Sequence, residues 1–198
     1  MAENNLKDLI QDREPVHRRN LDISTYPAGE GRVVVEGWLK DERLVEIYRH
    51  WDNNPREAGV VHWFCARLLV GDWPMTILDA EAEVRELPSD ECVEVLDSIK
   101  RVVGLRISPG YSEEVRGLMG GAQGCSHLTH LVIVMGPPAL HGFWTTFARH
   151  PRPMPTSLDE VEGLKYLVNS CALWTPDGPH MRTLEEQIAK YRREQGLD

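Results

Sequence analysis

Two long strand-like runs separated by a single turn signal constrain this chain more than anything else in it. Val60 to Val70 is strongly apolar, Gly71-Asp72 follows, and Trp73 to Arg85 resumes with Ile77, Ala80, Ala82 and Val84. Runs of this kind joined by a glycine-containing dipeptide read as a long β-hairpin, so the fold has to be built on antiparallel pairing. Arg32 to Leu39, with Val33-Val34-Val35 and Trp38, reads as the first strand, and Lys40-Asp41-Glu42-Arg43 as the turn that ends it. Residues 1–30 are polar, close on Tyr26-Pro27-Ala28-Gly29, and read as a draped arm with little chemistry. Leu44, Ile47, Tyr48 and Trp51 repeat at helical spacing but run into Asp52-Asn53-Asn54-Pro55, which allows a brief helix or an irregular excursion.

Helical signals follow the hairpin. Cys92, Val95, Leu96, Ile99, Val102 and Val103 form an amphipathic stripe over Glu91 to Val103, capped by Ser89 or Asp90 and ended by Gly104. A short helix begins at Ser112-Glu113-Glu114 and stops at Gly120-Gly121; a longer one opens at Cys125 and meets a break or kink at Gly136-Pro137-Pro138. Arg149 to Pro155 is a proline-rich linker, and Thr183-Leu184-Glu185-Glu186 has the spacing of a capping box opening a charged helix. These signals define an α+β fold: a hairpin-based antiparallel sheet packed on one face by helices, with a C-terminal helical extension. The divisions are an arm at 1–30, a core domain at 31–148, and a linker with helical extension at 149–198.

Composition narrows the function. The 198 residues carry 22 Lys and Arg against 31 Asp and Glu, a net charge of -9 that repels a phosphate backbone, so nucleic acid is not expected as a partner. No apolar run is long enough to span a bilayer and the N-terminus has no secretory pattern, so a cytoplasmic protein with no membrane partner is expected. Cys65, Cys92, Cys125 and Cys171 are widely spaced, which in a reducing compartment favours thiols or ligands over disulfides. The charged C-terminal helix is a candidate surface for homo-oligomer formation.

The chemistry concentrates in Gly120-Gly121-Ala122-Gln123-Gly124-Cys125-Ser126-His127-Leu128-Thr129-His130, which crowds a thiol and two imidazoles at a helix opening. Cys125 and His127 can turn toward one centre, and a fourth donor has to come from elsewhere in the chain. His62, on a strand face with Phe64, Ala66 and Leu68, and Cys92 are the candidates. The metal set is therefore His62, Cys125, His127 and Cys92, holding zinc or iron, with His130 and Asp79 as the catalytic pair that moves protons or orients a ligand. Each residue also has a plain structural account: a buried thiol, a satisfied core histidine, a strand-edge charge. Trp38, Trp63, Trp73 and Trp144 are candidates to wall a pocket for an apolar or aromatic small molecule.

His62 in Val60-Val61-His62-Trp63-Phe64, Ile77-Leu78-Asp79-Ala80-Glu81-Ala82, Cys92, Gly104-Leu105 and Gly124-Cys125-Ser126-His127-Leu128 together resemble bacterial domain-of-unknown-function family 2889 over about residues 30–148. His130 stands where that pattern more usually has an acidic residue. The order of hairpin, Asp-Ala strand and cysteine-opened helix is also distantly similar to iron-sulfur scaffold and sulfur-acceptor proteins of the SufE and NifU kind, although Gly124 replaces the histidine expected before the last cysteine. Three functions follow as expectations. The first is a small metal-dependent hydrolase or lyase acting on a small molecule through His62, Cys125 and His127. The second is a metal or iron-sulfur carrier without catalysis, and the third is a metal-free enzyme using Cys125 as nucleophile.

Overall fold

A computed structural model of the protein describes residues 5–71 and 74–197; the Asp72 half of the expected turn, and Trp73, lie outside the described residues. The chain divides into two compact units, residues 1–144 and 145–198. In the first, strands β1 (His17–Pro27), β2 (Val33–Arg43), β5 (Gly59–Gly71) and β6 (Thr76–Glu86) form an antiparallel sheet in the order β1-β2-β5-β6. A separate two-residue ribbon pairs β3 (Ile47–Tyr48) with β4 (Pro55–Arg56). The expected hairpin is thus β5 with β6, while the Leu44 to Trp51 excursion is this ribbon, its turn tied by Asp52 to Asn54. Helices α1 (Leu6–Ile10), α2 (Tyr111–Met119) and α3 (Ser126–Phe147), with a 3-10 helix at Asp90–Val102, complete the unit.

Two strand boundaries differ from the sequence reading, and both bear on function. Residues 17–27, expected as an arm, form the edge strand β1, because their polar side chains alternate with Leu21, Ile23 and Thr25, which meet Leu39, Gly37 and Val35 across the ladder. Strand β2 does not turn at Lys40-Asp41 but runs on to Arg43. Its alternation of Val33, Val35, Gly37 and Leu39 toward the core therefore continues to Asp41, which is buried where an apolar residue would be expected.

The core lies between one face of the sheet and the helices. Val33, Val35, Leu39, Phe64, Ala66, Leu68, Ile77 and Ala80 meet Leu128, Leu131, Val132, Met135 and Ala139 there, all at most 2% exposed. Fully burying each large aliphatic or aromatic side chain contributes roughly 1.5–3 kcal/mol. Helix α3 seats tightly on the sheet at Gly37, where a Cβ would stand 2.8 Å from Met135 Sδ and 3.0 Å from Leu131 Cδ1. It passes through Pro137 and Pro138 without ending, so of the expected break or kink the chain makes no break there. Tyr111 Oη donates to Val132 O at 2.9 Å and Thr25 Oγ1 to Pro138 O at 3.1 Å, anchoring that stretch from outside the helix.

The second unit contains a 3-10 turn at Leu158–Glu160, α4 (Leu164–Leu167) and α5 (Pro179–Gln195). Helix α5 starts before the expected capping box, with Pro179 at its first turn, and Thr183 Oγ1 instead donates back to Pro179 O at 2.9 Å. Gly196, at φ 67°, ends it in the left-handed conformation. Within this unit Arg152 pairs with Glu162 at 2.6 Å, and Glu160 accepts from Thr156 N at 2.7 Å.

Candidate functional site

The extension of β2 places Asp41 directly opposite His62 on β5, and β1 places Arg19 directly opposite Asp41 on its other side. Because side chains directly opposite across an antiparallel ladder share a face, the three lie side by side on the helix-covered face. The fourth member, His127, comes from the first turn of α3. That turn is positioned by the glycine-rich segment before it: a Cβ on Gly124 would stand 2.6 Å from Met119 O and 2.9 Å from Ser98 Oγ, so only glycine fits. Arg101 holds the same segment through Gln123 O at 2.5 Å and Leu118 O at 3.2 Å. Thr129 Oγ1 lies 2.7 Å from Met119 O and 2.8 Å from Cys125 O, joining the segment to the helix.

The geometry centres on one oxygen. Asp41 Oδ2 lies 3.4 Å from His62 Nδ1 and 3.5 Å from His127 Nε2. The two imidazoles are tilted by 32° with ring centroids 4.0 Å apart. Arg19 grips the carboxylate in a fork, Nε to Oδ1 at 2.7 Å and Nη2 to Oδ2 at 2.6 Å, and His17 Nε2 stands 3.6 Å from Oδ1 on the solvent side. His62 Nδ1 is buried and makes no hydrogen bond. An orphaned buried nitrogen is costly unless something else satisfies it.

The charges follow from burial. Desolvation alone would raise the Asp41 carboxyl, but the hydrogen bonds and charge of Arg19, helped by the two imidazoles, outweigh it and hold the group below the usual carboxylate range. Both imidazoles are pushed below the ordinary histidine value, chiefly by desolvation. Asp41 acts against that shift on each of them, and Arg19 reinforces it on both. Neutral imidazoles beside an ionised carboxylate are donors ready for a cation. Among the described residues, Asp41, His62 and His127 are the group whose donor atoms lie within 4.8 Å of one another, and they are the residues that could hold a metal.

Of the residues expected from sequence, His62 and His127 come together. Cys125 sits beside them, its Sγ 3.8 Å from His127 Nδ1, the ring nitrogen on the far side from Asp41. His130 follows on α3, exposed, close enough for its charge to depress His127. Cys92 lies half-buried in the 3-10 helix, outside the donor group. Asp79 is on the opposite face of the sheet from His62, paired with Lys100 at 2.9 Å and accepting from Ala80 N at 2.8 Å. Trp38 and Trp63 meet edge to face at 6.3 Å, also on that opposite face, whereas Trp144 on α3 packs against His141. The residues that sequence reasoning missed are Asp41, Arg19 and His17. The period-two pattern from Val33 to Asp41 was the available signal for the first.

Fold and cluster define an α+β protein whose sheet carries a histidine and aspartate donor group at one end, under the first turn of a long helix. The chain belongs to the family described as Protein of unknown function (DUF2889), which matches residues 17–141 and so takes in Arg19, Asp41, His62, Cys125 and His127. Neither the curated proteins nor the solved structures give a match. Among the described residues, no helix is long and apolar enough to cross a membrane.

Proposed function

We propose that the protein is a small metalloenzyme whose zinc or iron ion is held by His62, His127 and Asp41, with a further position open to solvent or substrate. The observation that carries this reading is the spacing around Asp41 Oδ2. Ligand atoms at bond lengths of about 2.0–2.1 Å around a tetrahedral ion stand about 3.3–3.4 Å apart, and the carboxylate oxygen is 3.4 and 3.5 Å from the two imidazole nitrogens. At those distances the contacts are long for hydrogen bonds and suited to a shared ion, which would also satisfy the orphaned His62 Nδ1. Two imidazoles and one carboxylate form the donor set of open catalytic zinc sites and of non-haem iron sites, and a poor set for magnesium or calcium.

An ion bound there would act as a Lewis acid and lower the pKa of a water, as hydrolysis or lyase chemistry on a small molecule requires. The chain's own residues do the rest. Arg19 fixes the plane of the Asp41 carboxylate and neutralises it in part. Cys125, against His127 Nδ1, orients that ring and so leaves Nε2 directed at Asp41. His17 and His130, both exposed, flank the donor set and carry protons between it and solvent. We place this activity in the cytoplasm, where widely spaced cysteines remain reduced.

Substitution with cobalt tests the ligand set. The reading expects visible bands of a nitrogen and oxygen site without the intense near-ultraviolet thiolate band, unchanged in Cys125→Ser and lost in His62→Ala. A thiolate band that disappears in Cys125→Ser would put the sulfur on the metal and overturn this ligand assignment. One observation favours a second reading: Cys125 Sγ, His127 and Asp41 also stand in the order nucleophile, base and orienting carboxylate. That reading expects rapid alkylation of Cys125 in metal-free protein that slows in Asp41→Asn, whereas the metal reading expects Asp41→Asn to abolish cobalt binding.

A further inference from the structure

The face of the sheet turned away from the helices carries an open groove of about 610 Å³. It is separate from the donor cluster, which lies on the other face, and its walls come from all four strands. Trp38 and Trp63 stand edge to face in its middle, 6.3 Å apart and inclined by 60°. Arg85, the extra residue at the bulge between β5 and β6, lays its guanidinium over both rings, 4.5 Å from Trp38 and 4.9 Å from Trp63.

The charges of this cavity are sorted. Arg67 is saturated by Glu36 at 2.7 Å, Glu83 at 2.9 Å and Glu81 at 3.1 Å. Glu36 also accepts from Trp38 Nε1 at 3.2 Å, so its charge is engaged. Lys40 pairs with Glu42 at 2.8 Å. Arg85 makes its contacts to the indoles, and no carboxylate of the described residues pairs with it. A guanidinium stacked on aromatic faces is held in position while its N–H edge stays available, which is the arrangement that receives a planar anion. At the opposite wall, on β1, Asp22 is paired across the ladder with Trp38 and is likewise without a cationic partner among the described residues. The groove therefore presents a guanidinium from β6 laid over two indoles, with an acceptor from β1 beside Trp38.

We propose that this cavity binds a planar aromatic carboxylate bearing a hydrogen-bond donor at its far end, with the carboxylate on Arg85, the ring against Trp38 and Trp63, and the donor on Asp22. The strand order limits the length: β1 and β6 are three ladder spacings apart, roughly 14 Å between backbones, and both side chains reach inward, Arg85 as far as Trp38, the ladder partner of Asp22, so the span suits a single ring. This site is independent of any metal at His62 and His127.

The probe is 4-hydroxybenzoate, titrated calorimetrically into the full chain in the presence of a chelator, with the Trp38 and Trp63 indole N–H signals followed by NMR. The proposal expects saturable binding that shifts both indole signals. It expects about tenfold weaker binding of the neutral 4-hydroxybenzamide, and a similar loss with Arg85→Gln, for the loss of a charge-assisted bond. Asp22→Asn weakens the hydroxy acid and leaves benzoate unchanged. Arg85 and Asp22 are exposed, so neither substitution threatens the fold. No saturable binding to the wild-type chain, equal affinity for acid and amide, or shifts confined to other tryptophans would overturn it.

Discussion

Replacing Arg19 by Met keeps an apolar stem while removing the fork that holds Asp41. The carboxylate is 3% exposed and receives two charge-assisted hydrogen bonds, at 2.7 and 2.6 Å. Removing one partner of a fully buried pair costs about 3–5 kcal/mol, but the Arg19 side chain is 35% exposed and solvent screens its charge. That lowers the expected loss to about 2 kcal/mol. At 2–4 °C per kcal/mol for a chain of this size, the melting temperature falls by about 4–8 °C. The comparison is made by urea and thermal unfolding in chelator, so that no bound ion contributes. The pH dependence sharpens it. Asp41 is held below its ordinary value in the wild type, so its stabilisation is present above that value and lost as pH falls through the folded one. In Arg19→Met burial is opposed only by the two imidazoles and the carboxyl rises from its wild-type position, so acid favours the variant relative to the wild type. The stability gap therefore narrows as pH is lowered from 7 toward about 4. A loss below about 0.5 kcal/mol, or a gap that does not change with pH, would refute the account of Asp41 as a buried, neutralised anion.

Three further outcomes follow from the same structure. Gly37→Val drives a branched side chain into Met135 and Leu131, both fully buried, and should cost about 1–3 kcal/mol by overpacking in thermal unfolding; an unchanged melting temperature would mean α3 does not seat there. In metal-free protein, NMR titration should place His62 and His127 below the ordinary 6.5, with burial as the main cause. Their contribution to stability is then intact above that value and lost as pH falls through the lowered ones; midpoints at or above the ordinary value would contradict it. Cys65 is 0% exposed and its thiol is pushed up to about 12 by burial, so a disulfide reagent should label exposed Cys171 in the native protein and leave Cys65 untouched until unfolding.

The hairpin was legible because its pattern is long and its partners adjacent in sequence. Strand β1 was not, since its outward residues Arg18, Asn20 and Asp22 are polar and its inward ones include Arg19; a strand that turns a charged side chain inward to meet a buried carboxylate loses the apolar alternation by which strands are recognised. The same ion pair hid Asp41, because Lys-Asp-Glu-Arg after an apolar run has the composition of a turn. His62 and His127 were found from residue type and local context, but their convergence depends on the β2–β5 register and on the seating of α3, neither of which a single sequence encodes locally. Helix α3 runs on through Pro137 and Pro138, where local sequence signals a stop, and carbonyls along it accept from the hydroxyls of Tyr111 and Thr25, partners that lie 21 and 113 residues away. The tryptophans were read as candidate walls of one small-molecule pocket, whereas the pleat sends Trp38 and Trp63 to the other face of the sheet from Asp41 and His62.

The most direct test of the metal account is the elemental content of untagged protein, measured for the wild type and for His62→Ala, His127→Ala and Cys125→Ser, each checked for folding by circular dichroism. The account predicts stoichiometric zinc or iron in the wild type and in Cys125→Ser, and none in the two folded histidine variants. A folded wild-type chain that takes up neither metal even when zinc or iron is supplied, or metal lost only with Cys125, would contradict it.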